Sequence, residues 1–166
     1  MRVLVTGTAG FIGAALAKRL LDRGDQVIGV DNLNDYYDVE LKKARLKHFC
    51  SHENFIDLRV DVADREAMAA TFQDYRPERV VHLAAQAGVR YSLKNPHAYV
   101  DTNLVGFTNI LEGCRHNEVQ HLVYASSSSV YGMSADLPMR EDSLPRPFSP
   151  YGVTKLAAEH LVGLYH

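Results

Sequence analysis

The turn after the first strand limits the fold of this chain more than any other feature. A short apolar strand, Arg2–Thr6, runs directly into glycines at positions 7, 10 and 13, and an amphipathic stretch, Phe11–Arg23, follows. Gly7 permits a tight turn, Gly10 lets the backbone approach a pyrophosphate, and Gly13 lets a helix pack closely on the strand. The helix N-terminus then offers N–H groups and a positive dipole end to the phosphates. The alternative is a glycine-rich turn without a ligand.

Short apolar strands alternate with amphipathic helices along the rest of the chain. The predicted strands are Arg2–Thr6, Gln26–Asp31, Phe55–Val60, Arg79–Leu83 and His121–Ala125. The predicted helices are Phe11–Arg23, Val39–Cys50, Arg65–Asp74 and Ala98–Asn117. Gly24 is a C-terminal cap for the first helix, and Pro96 lies in the first turn of the long one. A loop over Met133–Pro150 precedes a last helix. Continuous apolar runs indicate strands buried on both faces. The pattern predicts an α/β fold: a Rossmann-type doubly wound parallel sheet with helices on both faces, as one domain over residues 1–166.

Composition excludes several classes of protein. A net charge of -2 leaves no basic footprint for nucleic acid, and the sequence has no apolar run of the roughly 18 residues that a membrane helix needs. Two cysteines, Cys50 and Cys114, are too few for a disulfide framework and fit a reducing, cytoplasmic setting. The eight histidines show no spacing typical of metal ligands, so we expect no metal.

Asp31, at the end of the second strand, indicates which dinucleotide the turn would bind. A carboxylate there accepts hydrogen bonds from an adenosine ribose and repels a 2′-phosphate. No arginine directly follows Gly7 or Asp31 to receive that phosphate, so the sequence predicts NAD rather than NADP. The alternative is a solvated residue at a strand end. Asp61 and Val62 follow the third strand; they either meet the adenine edge, or Asp61 caps the next helix.

Two loops after later strands are candidates for the substrate side. The run Ser126–Ser129 follows the fifth strand, where hydroxyls can bond an oxygen at a reacting carbon, although a serine-rich loop is the commoner meaning of such a run. After the fourth strand, small residues allow close approach of a flat cofactor. Arg90 there either pairs with an anionic substrate group or is a surface arginine. His82 lies in an apolar strand and is predicted to be a packed core residue.

Tyr151 and Lys155 form a candidate catalytic pair. Their spacing of four places both side chains on one face of a helix, one turn apart. An ammonium beside a phenol favours the phenolate, which makes Tyr151 a candidate base at physiological pH. The spacing also arises by chance, and it gains weight only beside the glycine turn, Asp31 and the serine run.

With these motifs in this order, the chain resembles the extended short-chain dehydrogenase/reductase family, and within it the nucleotide-sugar epimerases. The matching motifs are Thr6–Gly13, Asp31-Asn32, Asp61-Val62, His82–Ala85, Asn103, Ser126–Gly132 and Tyr151-x-x-x-Lys155. The stretches Asp31–Tyr37 and Ala85–Ser92 look most like UDP-glucuronate 4-epimerases.

The resemblance implies a reaction and a set of roles. Hydride would pass from C4 of a UDP-sugar to NAD, the 4-keto sugar would rotate, and hydride would return to the other face. Tyr151 would take the 4-hydroxyl proton, Lys155 would bind the nicotinamide ribose, and Ser127 would bond the 4-oxygen. The implied cofactor residues are Gly7, Gly10, Phe11, Ile12, Gly13, Asp31, Asn32, Asp61, Val62, Leu83, Ala84, Ala85, Gln86, Asn103, Tyr151 and Lys155, and the implied substrate residues are Arg90, Ser127, Ser128 and Tyr151.

The residues after Ser127 separate chemistries within the resembled family. Related dehydratases carry Asp-Glu there and UDP-xylose-forming decarboxylases carry Ser-Glu, whereas this chain has Ser128 and Ser129. The lack of a carboxylate at 129 favours an epimerase over a dehydratase, and counts less strongly against a decarboxylase. A dinucleotide-binding module without turnover is the alternative from another class.

Length and helix content give two further expectations. Members of the resembled family run to roughly twice 166 residues, so we expect a truncated chain that lacks the substrate domain. It would bind NAD without full activity. The family's dimer interface uses the helices near 98–117 and 150–166, and both are present, which predicts a homodimer.

Overall fold

The structure, a computed structural model, describes residues 1–133 and 138–165 and contains a five-stranded, wholly parallel sheet. The strands are β1 (Arg2–Thr6), β2 (Gln26–Val30), β3 (Phe55–Leu58), β4 (Arg79–His82) and β5 (His121–Tyr124), in the order β3-β2-β1-β4-β5. The order reverses at β1, whose neighbours are β2 and β4. All five predicted strands are confirmed. Four end one or two residues earlier than predicted, because the chain turns away at the carboxyl edge of the sheet.

Seven α-helices accompany the strands in the described residues. They are α1 (Phe11–Asp22), α2 (Val39–Leu46), α3 (Arg65–Tyr75), α4 (Val89–Ser92), α5 (Pro96–Val100), α6 (Gly106–His116) and α7 (Pro150–Tyr165). The predicted single helix Ala98–Asn117 is wrong in one respect, because a π-helical turn, Asp101–Val105, separates α5 from α6. Helix α4 and a 3-10 turn, Ser128–Tyr131, were not predicted.

Helix boundaries follow local chemistry. Gly24, with φ of 87°, ends α1: its N–H bonds Leu21 O at 2.8 Å and the N–H of Asp25 bonds Leu20 O at 3.1 Å, so the predicted cap is confirmed. Pro96 occupies the first turn of α5, as predicted. The predicted loop over Met133–Pro150 includes residues 134–137, which lie outside the described part, and Pro150 is already the first residue of α7.

Two apolar clusters lie on opposite faces of the sheet, because alternate residues of each strand point to opposite sides. One holds Val3, Val5, Val27 and Phe55 with Ala17 and Leu20 of α1. The other holds Leu4, Ile28 and Val80 with Phe72 of α3 and Ile110 of α6. The predicted doubly wound fold with helices on both faces is therefore confirmed. Among the helices of the described residues, none combines the length and apolar character needed to cross a membrane.

Candidate functional site

The glycine turn forms one wall of a cleft at the carboxyl edge of the sheet. Gly7 adopts φ of 75°, its N–H bonds Val30 O at 2.7 Å, and its carbonyl accepts the Gly10 N–H at 2.9 Å. A Cβ on Gly13 would lie 2.0 Å from Gly7 O, so only glycine fits there. No side chain caps α1 and no acidic residue lies in its first turn. Phe11 and Ile12 begin the helix with side chains 79% and 65% exposed, so their backbone is what faces the turn.

Asp31 links the end of β2 to the glycine turn. Its Oδ2 accepts the Ala9 N–H and its Oδ1 accepts the Leu33 N–H, both at 2.9 Å. Asn32 donates from Nδ2 to Asp61 Oδ2 at 2.8 Å, which joins the ends of β2 and β3. The alternative in which Asp61 caps the next helix is wrong. Asp64 accepts the Ala67 N–H and caps α3, whereas Asp61 Oδ1 closes a short turn by accepting the Ala63 N–H.

Helix α2 brings two cations to this end of the cleft, which the sequence analysis missed. Lys42 is 4% exposed and donates from Nζ to Asn34 O at 2.6 Å and to Asn34 Oδ1 at 2.8 Å. Arg45 donates from Nη1 to Ala9 O at 3.4 Å and to the Tyr37 hydroxyl at 3.3 Å. Burial lowers the pKa of Lys42, and the Asp31 carboxylate opposes that shift, so the two charges act on each other. The i,i+3 spacing of Lys42 and Arg45 was the available signal.

The loop after β4 forms the opposite wall, and Thr6 holds it. Thr6 Oγ1 accepts the N–H groups of Leu83 at 3.1 Å and Ala84 at 3.0 Å, and lies 2.8 Å from His82 Nδ1. Burial, and to a smaller extent the charge of Lys155, lower the pKa of His82 to about 3, so this ring is neutral at physiological pH. His82 also stacks on Phe107. Its prediction as a packed core residue is confirmed.

Asn103 joins this loop to α7 from inside the π-helical turn. Its Oδ1 accepts the Gln86 N–H at 2.9 Å, and its Nδ2 donates to Gln86 O at 3.1 Å and to Thr154 Oγ1 at 3.2 Å. The side chain is buried and its amide is engaged with the protein itself. Asn103 therefore orders residues around the cleft, and its contact with a cofactor stays a prediction.

Helix α7 carries the candidate catalytic pair. Lys155 is 7% exposed and donates from Nζ to Ala125 O, just beyond β5, at 2.9 Å. Burial lowers the pKa of Lys155 to about 8, so the ammonium form still predominates at pH 7. Tyr151 packs edge-on against the buried ring of Tyr99, with centroids 6.1 Å apart. A second tie, from Ser126 Oγ to the Glu159 carboxylate, fixes α7 against the same loop.

The predicted substrate residues lie near this helix. Ser127 is half-buried and caps the 3-10 turn, since its Oγ accepts the Ser129 N–H at 3.2 Å. Ser128 is exposed in that turn. Arg90 is exposed on α4, which packs against α7. Its contact with a substrate stays a prediction, and a surface arginine stays the alternative.

The cleft between these walls brings together several predicted cofactor residues, whereas Tyr151, Lys155 and Ser127 are not among its lining residues. It measures 290 Å³ and is lined by Gly7, Gly10, Asp31, Asn32, Asn34, Tyr36, Tyr37, Lys42, Val62, Thr102 and Leu83–Ala87. Within the described residues Thr8 Oγ1 and Gln86 Nε2 are buried without a hydrogen-bond partner, and of the two residues only Gln86 lines the cleft. A larger groove of 690 Å³ lies between α3 and α6, away from the strand ends and the glycine turn, so the smaller cleft is the candidate site. In residues 1–133 and 138–165 no three acidic, histidine or cysteine side chains converge to hold a metal.

The sheet order, the glycine turn and the helices on both faces define a Rossmann-type domain, and comparison with known proteins gives its family. A family model described as GDP-mannose 4,6 dehydratase matches residues 4–166, and the chain belongs to that family. It is 47% identical over 164 residues to the UDP-glucuronate 4-epimerase of Thermodesulfobacterium geofontis (strain OPF15), covering 98% of this chain and 50% of that protein.

Two solved structures share the fold of this chain and are also similar to it in sequence. The Bacillus cereus UDP-glucuronic acid 4-epimerase in complex with UDP-glucuronic acid and NAD has a TM-score of 0.91 and 38% identity, over 100% of this chain and 52% of that one. The Thermus thermophilus UDP-glucose 4-epimerase complex with NAD has a TM-score of 0.86 and 39% identity, over 99% and 50%. The chain thus spans about half the length of the relatives it matches.

Proposed function

We propose that this chain is the cofactor-binding part of an NAD-dependent UDP-sugar 4-epimerase, with UDP-glucuronate as the substrate and UDP-galacturonate as the product. The observation that carries the proposal is α7, which holds Tyr151 and Lys155 one turn apart, with Lys155 bonded to Ala125 at the carboxyl edge of the sheet. Two of the three relatives named above are called UDP-glucuronate 4-epimerases, and they support the choice of substrate.

The residues of the chain divide the work of binding and proton transfer. The nicotinamide of NAD, when bound, accepts hydride from the sugar and returns it. The N–H groups at the start of α1 would hold the pyrophosphate, and Asp31 the adenosine ribose. Tyr151 would take the proton of the 4-hydroxyl and give it back, Lys155 would stabilise the phenolate by its charge, and Ser127 would orient the 4-oxygen.

Calorimetric titration with NAD tests the cofactor site. We expect saturable binding of NAD by the wild-type chain. Lys155→Met should lose at least about tenfold in affinity for NAD, because a charged donor to the nicotinamide ribose is removed. Lys94→Met, which changes an exposed lysine, should lose none. Absence of NAD binding by the folded chain would contradict the proposal.

A turnover assay tests the activity. We expect little or no conversion of UDP-glucuronate to UDP-galacturonate by these 166 residues alone, because they span about half the length of the relatives they match. Robust conversion would contradict that expectation and support the epimerase assignment directly. A chain that binds NAD but no UDP-sugar would favour a dinucleotide-binding module.

A dehydratase is the second candidate, because the matching family model carries that description. Ser128 and Ser129 count against it, since neither of the two positions that follow Ser127 carries a carboxylate to act as acid and base in an elimination. Mass spectrometry of the product separates the outcomes. Epimerisation leaves the mass unchanged, whereas elimination removes water and decarboxylation removes carbon dioxide.

We extend the proposal to a cytoplasmic homodimer that is built on the α5–α6 segment and α7. Exposed aliphatic side chains support it: Val100 and Val105 on the α5–α6 segment, Val153 and Leu164 on α7.

Light scattering at high concentration is expected to give twice the mass of the chain. Val105→Glu should yield a monomer, whereas Leu93→Glu, at an exposed leucine elsewhere, should not. A wild-type monomer at high concentration would refute the dimer.

A further inference from the structure

The side chain of Tyr99 connects the loop after β4 with the helix that carries the candidate catalytic pair. Tyr99 lies in α5 and is fully buried. Its hydroxyl lies 2.6 Å from both Ala87 O and Gly88 O and shares its proton between these two carbonyls. Burial raises the pKa of this hydroxyl, so it stays a donor at physiological pH. The hydroxyl therefore anchors the ring on the loop, of which Ala87 lines the cleft.

The same ring packs against Tyr151. Helix α5 packs on α7, and the two rings meet edge-on with centroids 6.1 Å apart. Tyr91 of α4 also packs on Tyr99, with centroids 6.4 Å apart, so a second helix holds the Tyr99 ring. The two side chains of the candidate pair are thus held differently. Lys155 is held by its hydrogen bond to Ala125 O, whereas Tyr151 is held by the packing of its ring.

We infer that Tyr99 is a positioning residue, which sets the orientation of the Tyr151 ring from the loop beside the cleft. The inference rests on the proposed function and adds to it the residue that aims the phenol. An edge-on pair of rings has a preferred geometry, so the contact restricts rotation of the Tyr151 side chain. A base must lie within hydrogen-bond distance of the proton that it takes, and a shift of about 1 Å is enough to impair it. Tyr99 acts through Tyr151, because its own hydroxyl is engaged with the loop.

Calorimetric titrations of three variants with NAD and with ADP test the inference. Tyr99→Leu removes the ring and should bind NAD about three- to tenfold more weakly than the wild type, because the misplaced Tyr151 hydroxyl would lose one hydrogen bond to the nicotinamide riboside. ADP lacks that riboside, so its affinity should stay within about twofold of the wild-type value. Tyr99→Phe keeps the ring and should lose less affinity for NAD than Tyr99→Leu. Phe72→Leu is the matched control, since Phe72 is an equally buried ring that does not line the cleft, and it should bind both ligands as the wild type does.

A double-mutant cycle separates positioning from a general effect on the fold. In a Tyr151→Ala background, Tyr99→Leu should cause no further loss of affinity for NAD, because the residue through which Tyr99 acts is gone. The same loss in both backgrounds would refute the inference, and so would an equal loss of affinity for ADP and NAD. Should Tyr99→Leu not fold, Tyr99→Met carries the same expectation, because the flexible methionine side chain fills an irregular gap more readily.

The remaining outcomes separate the inference from the proposed function. If the wild type binds NAD and Tyr99→Leu binds it equally tightly, the positioning role is refuted while the proposed function stands. A loss in Tyr99→Phe as large as that in Tyr99→Leu would contradict the role of the ring and assign the effect to the hydroxyl and the loop. If the wild type binds neither NAD nor ADP, the proposed function itself fails, and the inference fails with it.

Discussion

Single residues of the glycine turn are fixed by backbone contact. Gly13 is the clearest case, since an added Cβ would lie 2.0 Å from Gly7 O and 2.7 Å from Gly7 C, and backbone atoms cannot move aside as a flexible side chain can. Space therefore excludes every other residue at position 13, independently of any ligand.

Gly13→Ala is accordingly expected to lower the free energy of unfolding by about 1–3 kcal/mol and to weaken NAD binding, because the turn must open. Urea unfolding of the variant measures the first effect. Gly163→Ala is the matched control, since an added Cβ on Gly163 meets nothing within 4 Å and alanine is the better helix former. This control should gain about 0.5–1 kcal/mol. Equal stability of Gly13→Ala and the wild type would contradict the packing argument.

Lys155 gives the chain a pH dependence of stability at alkaline pH. Its pKa is about 8 in the folded chain, against the ordinary lysine value of 10.5 that we assign to the unfolded chain. Between these values Lys155 holds more protons in the unfolded chain than in the folded one, so its own contribution to stability rises with pH by up to about 1.4 kcal/mol per unit. Burial raises the pKa of Cys114 to about 12, and this thiol contributes with the opposite sign above pH 9. Lys155→Met should therefore lower the slope of stability against pH relative to the wild type, and Lys94→Met, at an exposed lysine, should keep the wild-type slope. Unfolding midpoints in urea from pH 7.5 to about 10.5 measure the difference; identical slopes in the wild type and Lys155→Met would refute it.

At the scale of elements, the π-helical turn ties three segments together through one side chain. Asn103 bonds Gln86 in the loop after β4 and Thr154 in α7. Asn103→Ala should cost about 2–4 kcal/mol, because it leaves several buried polar groups unpaired. Asn117→Ala removes a single bond, to Gly113 O, and should cost about 1 kcal/mol or less. Chemical unfolding of both variants measures the two losses in free energy of unfolding. Equal losses would contradict the larger contribution that we assign to Asn103.

The same turn shows what the sequence can predict and what it cannot. The five strands and the glycine turn follow from local signals, namely apolar runs and glycine spacing. The break between α5 and α6 does not, since its partners Gln86 and Thr154 lie 17 and 51 residues from Asn103. For the same reason the approach of Arg45 to Ala9, 36 residues away, was missed. Tyr151 and Lys155 could be proposed because a helix fixes their spacing within one element.

At the scale of the whole molecule, the sheet has a rigid centre and weaker edges. Strand β1 pairs on both sides, and Val3, Leu4 and Val5 are almost fully buried. Strand β5 pairs only with β4 among the described strands, and Val123 is 49% exposed. Amide hydrogen exchange should therefore be slowest in β1 and clearly faster in β5. Mass spectrometry of peptic fragments measures this order, and protection of β5 equal to that of β1 would contradict it.

The central position of β1 also matters while the chain is being made. Of the five described strands β1 is synthesised first, yet its two partners are β2, which follows soon after, and β4, which follows only after α2, β3 and α3. Until β4 emerges, one edge of β1, whose Val3, Leu4 and Val5 are almost fully buried in the folded chain, has no partner. Unpaired strand edges of this kind promote aggregation of incomplete chains. We therefore expect the interval of synthesis between β2 and β4 to be the one in which a growing polypeptide depends most on chaperones.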